Sequence, residues 1–334
     1  MGPPLHFGVN VNTRVPVLFP ESYDIDRLLD LAVRAEGLGY DSVWVGDNFF
    51  SKARLESITT LSAIAVRTRR VELGTATLVS PLRHTLWLAL AWGTLDRISG
   101  GRTILAVCVG GGSAEAGGPG FTLEFDVARV PYKRRGRLLE AQIQLLRDLW
   151  SPGAVQRKDE FHAFPPLEIQ PKPARAGGPP IWISSNPQVF DIDRPIVERM
   201  LRRVARLADG WMTCTATPEE FRSLWGRIQD YAGESGRSPE ALTPVYQVTL
   251  NVGKDRAGAR AEALDFLNAY YTTDHRDLSE SMWGRDPFGP PEEVLERLVA
   301  MKEAGVRTFI FRFASRDQAG QLERFTELVL PGLR

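Results

Sequence analysis

The chain has 334 residues, with 41 acidic and 41 basic side chains and no formal net charge at pH 7. That balance argues against nucleic acid or an anionic membrane as partner, and no apolar run approaches the ~20 residues of a membrane-spanning helix. Ordinary globular proportions (43% hydrophobic, 25% charged), two cysteines far apart (Cys108 and Cys214) and an N-terminus without a basic-then-apolar leader point to a cytoplasmic protein with no disulfide framework.

Strand-like and helix-like segments alternate from end to end. His6–Val11 reads as a strand, with Phe7, Val9 and Val11 on one face and Gly8, Asn10 and Asn12 on the other. Ile25, Leu28, Leu29 and Ala32 follow at helical spacing, and Gly37 and Gly39 are stop signals. Residues 42–46 form the next strand and 58–67 the next helix.

Residues 71–112 carry the most information. A β-branched run (71–78) meets Ser80-Pro81, an apolar helix (85–98) stops at Ser99-Gly100-Gly101, and a second apolar run (103–109) ends in Gly110-Gly111-Gly112. Both runs are apolar on both faces, as parallel strands covered by helices must be. At the triple glycine the backbone can approach a ligand with no Cβ in the way.

Beyond it, Leu139, Ile143, Leu146 and Trp150 mark a helix. Strands at Ile181–Ser184, near 210–212, at 245–252 and at Thr308–Phe313 alternate with helices at Pro195–Leu207, 218–231, 257–270, 291–304 and 318–330. Eight strand candidates, each followed by a helix, predict one α/β domain over residues 1–334. The expected fold is a (β/α)8 TIM barrel with insertions at its carboxyl-terminal face, not an open doubly wound sheet. Three connections exceed simple loops: 113–130, 151–179 and 271–290. The last mixes aromatic and charged residues, as a lid does.

Polar residues recur at the strand ends: Asn10 and Asn12, then Asp47 and Asn48, then Gln247, Thr249 and Asn251, then Arg312. Any one alone reads as satisfaction of loop backbone, but their repetition on one face suits a small polar ligand. None of the four histidines pairs with another His or Cys at metal-ligand spacing, so no metal site is expected. Nucleophile-elbow, P-loop and G-x-G-x-x-G motifs are absent, and nothing marks either cysteine as an activated nucleophile. An enzyme so equipped needs an organic cofactor.

Seven segments in order carry a family likeness: AEGLGYDSVWVGDN (35–48), RTRRVELGT (67–75), TLDRISGGRTILAVCVGGG (94–112), PYKRRGRLLEAQIQLLRDLW (131–150), GGPPIWISS (177–185), RLADGWM (206–212) and EAGVRTFIFR (303–312). With them the chain resembles the bacterial luciferase-like superfamily of flavin- and deazaflavin-dependent oxidoreductases. The resemblance implies a TIM barrel holding FMN or the deazaflavin coenzyme F420 in its mouth, a small-molecule substrate, often a homodimer, and in some cases a partner reductase that supplies reduced flavin. It places the ring against Asp47 and Asn48, Thr75, Ala76 and Thr77, and Gly110, Gly111 and Ser113. A non-proline cis peptide is expected near Thr75-Ala76. The cofactor phosphate is expected at Ser184, Ser185 and Asn186.

Two departures stand out. Asn48 replaces a histidine that many deazaflavin members carry, and Asn cannot act as a general base. Residues 186–194 are longer and more charged than the family's compact glycine turn. The expected activity is oxidation of a small organic substrate with reduced FMN and O2, with Asp47, Asn48 and Arg312 as catalytic candidates. The alternatives are hydride transfer with the deazaflavin coenzyme and a flavin-binding barrel without turnover.

Overall fold

The structure is a computed structural model that describes residues 4–21, 23–111, 119–191, 193–271 and 285–334, without the side chains of 119–121. Eight parallel strands pair in chain order and close on themselves: β1 (His6–Val11), β2 (Ser42–Val45), β3 (Glu72–Thr75), β4 (Thr103–Cys108), β5 (Ile181–Ser184), β6 (Gly210–Cys214), β7 (Thr243–Val252) and β8 (Thr308–Phe313). Closure sets Phe7 of β1 beside Phe309 of β8. The outer ring is α1 (Ile25–Gly37), α2 (Ser57–Arg67), α3 (Thr85–Ser99), α4 (Arg135–Trp150), α5 (Pro195–Leu207), α6 (Pro218–Glu234), α7 (Pro291–Glu303) and α8 (Gln318–Leu328). The chain is the expected (β/α)8 barrel.

Strand alternation sorts the side chains as a barrel requires. Phe7, Val9, Val11, Val43, Val45 and Phe309 face the helices in the main core. Trp44, Ile104, Ala106, Trp182, Met212, Val245 and Ile310 fill the interior. There the Trp44 and Trp182 rings stack, with centroids 5.1 Å apart. Two indoles fit because neighbouring strands carry glycine. A Cβ on Gly74 would stand 2.1 Å from the Trp44 ring, and one on Gly210 would stand 2.8 Å from Trp182.

The amino-terminal face is tied by carboxylates from the recognisable motifs. Asp41 accepts from the Phe7 N–H at 2.7 Å and Asp209 from the Ile181 N–H at 2.8 Å. Asp96 accepts from the Thr103 hydroxyl at 2.6 Å and the Ala174 N–H at 2.8 Å. Arg102 hydrogen-bonds the carbonyls of Ala65, Thr68 and Val71, fastening the end of α2 to the start of β3.

Two expectations are corrected. The run 71–78 is not one strand. β3 stops at Thr75, the Ala76–Thr77 peptide is cis, and Leu78–Val79 pairs with Val107 and Cys108 of β4 instead. The insertion 151–179 is not on the carboxyl-terminal face. It leaves from the end of α4 and forms a hairpin (Val155–Lys158 with Ala163–Leu167). Its tip reaches up the barrel flank, where His162 Nε2 meets the Thr85 hydroxyl at 2.8 Å. Its return leg lies along α3, where Arg97 donates to the Lys172 carbonyl. Sequence reading also missed the helix Pro119–Val127 in the connection after β4.

Candidate active site

The barrel mouth lies at the carboxyl ends of the strands, and the expected residues approach it unequally. Asp47 ends β2 with its carboxylate 1% exposed and already engaged. Oδ1 accepts from Ser57 Oγ at 3.0 Å and from Arg83 at 2.6 Å, and Oδ2 accepts from the Val79 N–H at 2.9 Å. This carboxylate anchors the chain just past the cis turn. Asn48 donates from Nδ2 to Ser51 Oγ at 3.3 Å.

Thr75 is buried, and its hydroxyl donates to the Ala106 carbonyl at 2.7 Å, locking β3 to β4 just before the cis bond. The cis peptide itself is Ala76–Thr77, one residue beyond the expected place. Gly110 has φ +85°, and a Cβ there would stand 2.8 Å from Phe125 and 2.9 Å from Val79. The lack of a side chain at Gly110 is thus required by packing, whatever the backbone there approaches. Gly111 accepts from the Tyr132 hydroxyl at 3.1 Å. Ser113 lies outside the described residues, as do 272–284 of the expected lid.

At the expected phosphate loop the three residues diverge. Ser185 turns outward, its N–H donating to the Met212 carbonyl and its Oγ accepting from Trp211 Nε1 at 3.1 Å. The Asn186 amide oxygen accepts from the Thr213 hydroxyl and the Cys214 N–H, both at 3.0 Å. Ser184 pairs with Met212 in the ladder, and its hydroxyl, on the inward-facing side, bonds no described residue.

Other rim groups share that unused capacity. Asn12 and Asn251 reach the loop after β8, bonding Gln318 at 2.7 Å and the Ala314 carbonyl at 3.0 Å. Asn10, on the Gly8 face of β1, is 3% exposed, and its amide bonds no described residue. Neither does Gln247 on β7. Asn10 is buried and Ser184 and Gln247 are half-buried, and their side chains offer polar groups with no partner among the described residues, open to a ligand.

Arg312 caps β8, 6% exposed, and donates to Thr249 Oγ1 from Nε at 3.1 Å and to the Tyr271 hydroxyl at 2.7 Å. Beside it lies Asp286, which sequence reading missed because nothing local distinguishes it in a long connection. Asp286 is 5% exposed, and neither carboxylate oxygen has a close hydrogen-bond partner. Burial pushes its pKa up to about 7, while the Arg312 charge and the Thr249 groups pull the other way and lose. Its outer side borders a cavity of about 420 Å³ lined by Arg285, Arg297 and Glu293. Burial also raises both interior thiols, Cys108 and Cys214, the second to about 11, so neither is an activated nucleophile.

Also unforeseen was Glu124. Its buried Oε1 accepts the N–H groups of Phe49, Phe50 and Ser51, fixing the loop after Asn48. A lone Glu in an apolar stretch of a long connection gives no such signal.

Polar side chains around the carboxyl-terminal mouth and a cis turn after β3 make this the kind of site that barrel enzymes build. The family model for luciferase-like monooxygenase matches residues 5–308, and the chain belongs to that family of oxidoreductases. It is similar to the "F420-dependent glucose-6-phosphate dehydrogenase" of Nakamurella multipartita, 25% identical over 99% of this chain and 97% of the relative. Among solved structures it resembles an F420-dependent secondary alcohol dehydrogenase in complex with an F420-acetone adduct, with TM-score 0.77 and 20% identity over 99% of this chain and 100% of that one. It equally resembles monooxygenase RslO1 from Streptomyces bottropensis, with TM-score 0.78 and 20% identity over the same shares.

Proposed function

We propose that this protein is an oxidoreductase that exchanges a hydride between the deazaflavin coenzyme F420 and a small organic substrate. The reading expected first, reduced FMN with O2, takes second place. The observation that carries the proposal is the mouth itself. Asn10, Ser184 and Gln247 offer unused hydrogen bonds from three strands around the mouth, and β3 ends in the cis turn at Ala76–Thr77, which suits a flat heterocycle with polar edges. The choice of deazaflavin over FMN rests on the curated relative, which is named for that coenzyme and aligns over the whole chain.

When bound, the coenzyme supplies two-electron hydride exchange. The chain's own residues do the rest. Asp47 holds the segment from Val79 to Arg83 and so fixes the wall beside the cis turn. Thr75 locks that turn to β4. Asn10 would orient the ring system, and Ser184 with the Asn186 amide nitrogen would receive the coenzyme's phosphate. Asn48 orients without transferring a proton.

A carbonyl–alcohol interconversion moves a proton with the hydride. Asp286 is the group placed to hold it, since its Oδ is buried beside Arg312 and titrates near neutral pH. A cavity borders the residue on its outer side, while both carboxyl oxygens stay buried. A cytoplasmic homodimer acting on a small molecule fits this reading.

The test is anaerobic. Protein and oxidised coenzyme F420 are mixed with a panel of alcohols and sugar phosphates, and the deazaflavin absorbance is followed. Bleaching with any member supports the reading. No bleaching, together with oxygen uptake on reduced FMN, would restore the monooxygenase alternative, which the likeness to RslO1 keeps in view.

A further inference from the structure

Four cations converge at one side of the mouth, over the two tyrosines that end the helix Arg256–Tyr271. The guanidinium carbons of Arg14, Arg54 and Arg312 stand 5.6, 5.8 and 5.4 Å from the Tyr270 ring centre. Lys52 Nζ stands 5.8 Å from that of Tyr271. Arg14 is 3% exposed. It donates one hydrogen bond, to the Ala53 carbonyl at 3.1 Å, and its Nε is buried without a partner. Arg54 donates from Nε to the Lys52 carbonyl at 3.2 Å. Its terminal nitrogen lies where a Cβ on Gly46 would be, 2.2 Å away, so glycine at the end of β2 admits the guanidinium to the mouth. Among the described residues, neither Arg14 nor Arg54 forms an ion pair.

Like charges gathered out of water repel, and a buried guanidinium with an unmet donor is costly. Burial first, and neighbouring arginines next, weaken proton binding at Lys52; burial with Arg54 does so at Arg14. The field shows most clearly at Tyr270. Burial raises the other shifted phenols, Tyr23, Tyr40, Tyr246 and Tyr271. Tyr270 is buried too, yet Arg54, Arg312 and Arg14 outweigh burial and lower its pKa. An arrangement that stabilises a phenolate in the interior would stabilise another anion beside it.

We propose that Arg14, Arg54 and Arg312, with Lys52 at the rim, form a subsite for an oxyanion of the substrate, a carboxylate or phosphate held against Tyr270. This deepens the proposed function by naming a substrate class, and the word "substrate" rests on that reading. Arginine forks suit both oxyanions, since each presents paired oxygens.

Inorganic phosphate is the probe. Thermal unfolding is measured at fixed ionic strength as chloride is exchanged for phosphate, with and without saturating coenzyme F420, whose binding is read by fluorescence in the same samples. A ligand that binds only the folded state raises the midpoint saturably. The expected result is a saturable rise in the wild type, at least tenfold weaker in phosphate for Arg54→Gln and largely restored in Arg54→Lys. Phosphate is also expected to shift one tyrosinate titration upward, a shift absent in Tyr270→Phe.

No phosphate response in a protein that binds the coenzyme overturns the subsite. A response abolished by saturating coenzyme overturns the assignment to substrate and gives the site to the coenzyme's own phosphate. A response that appears only after Asp274, Asp277 and Glu280 are neutralised overturns it in favour of the chain's own carboxylates. A response without coenzyme binding supports the subsite while removing the deazaflavin reading.

Discussion

The proton-holding role proposed for Asp286 carries a cost in stability. Its folded pKa of about 7 lies above the ordinary carboxylate value, so the folded state holds its proton more tightly than the unfolded chain. The sign follows from linkage. The stabilisation is complete below the unfolded pKa, near 4, and is lost as pH rises towards 7. The whole effect is at most roughly 4 kcal/mol, since a tenfold change in proton affinity corresponds to about 1.36 kcal/mol. Asp286→Asn should therefore lose less stability than the wild type between pH 5 and pH 8 in urea unfolding, and a turnover limb near neutral pH should vanish. Gly110 makes the opposite point, since its constraint is mechanical. Gly110→Ala meets a left-handed φ together with Phe125 and Val79, and should destabilise by about 1–3 kcal/mol, measured by urea midpoint.

At the scale of elements, glycine placement separates core geometry from helix propensity. Gly74 in β3 faces the Trp44 ring, a rigid neighbour in a filled interior. Gly74→Ala should cost about 1–3 kcal/mol or more and alter tryptophan fluorescence. Gly226 in α6 has nothing within 4 Å of the point where a Cβ would stand, so Gly226→Ala should raise stability by about 0.5–1 kcal/mol. Equal effects of the two changes would refute this view of the interior. The same scale explains what was legible in the sequence. All eight strands and their helices announced themselves through apolar periodicity and breakers, because burial on both faces leaves a compositional trace. The split after Thr75 did not, because the cis turn joins two apolar stretches with no polar interruption. The hairpin at 155–167 did not, because half-exposed strands with mixed side chains resemble a loop.

At the scale of the whole molecule, the two ends of the barrel divide the labour. Many motif residues that reveal the family (Asp41, Asp96, Arg102 and Asp209) bind backbone at the amino-terminal end and hold the strands in register. The candidate chemistry sits at the other end, on residues from separate strands and connections. Arg14, Arg54, Tyr270 and Asp286 become neighbours only when the barrel closes, so no local spacing could have gathered them. Asp47 and Arg312 were visible as polar strand ends, but whether an oxygen is engaged or free is decided by tertiary partners such as Arg83. The central claim is that this mouth is built for the deazaflavin coenzyme. The most direct test is equilibrium binding of coenzyme F420 and of FMN to the purified protein in one buffer, by fluorescence titration. Coenzyme F420 should bind at least tenfold more tightly than FMN, and Ser184→Ala should weaken it; tighter binding of FMN, with oxygen uptake when that FMN is reduced, would contradict the claim.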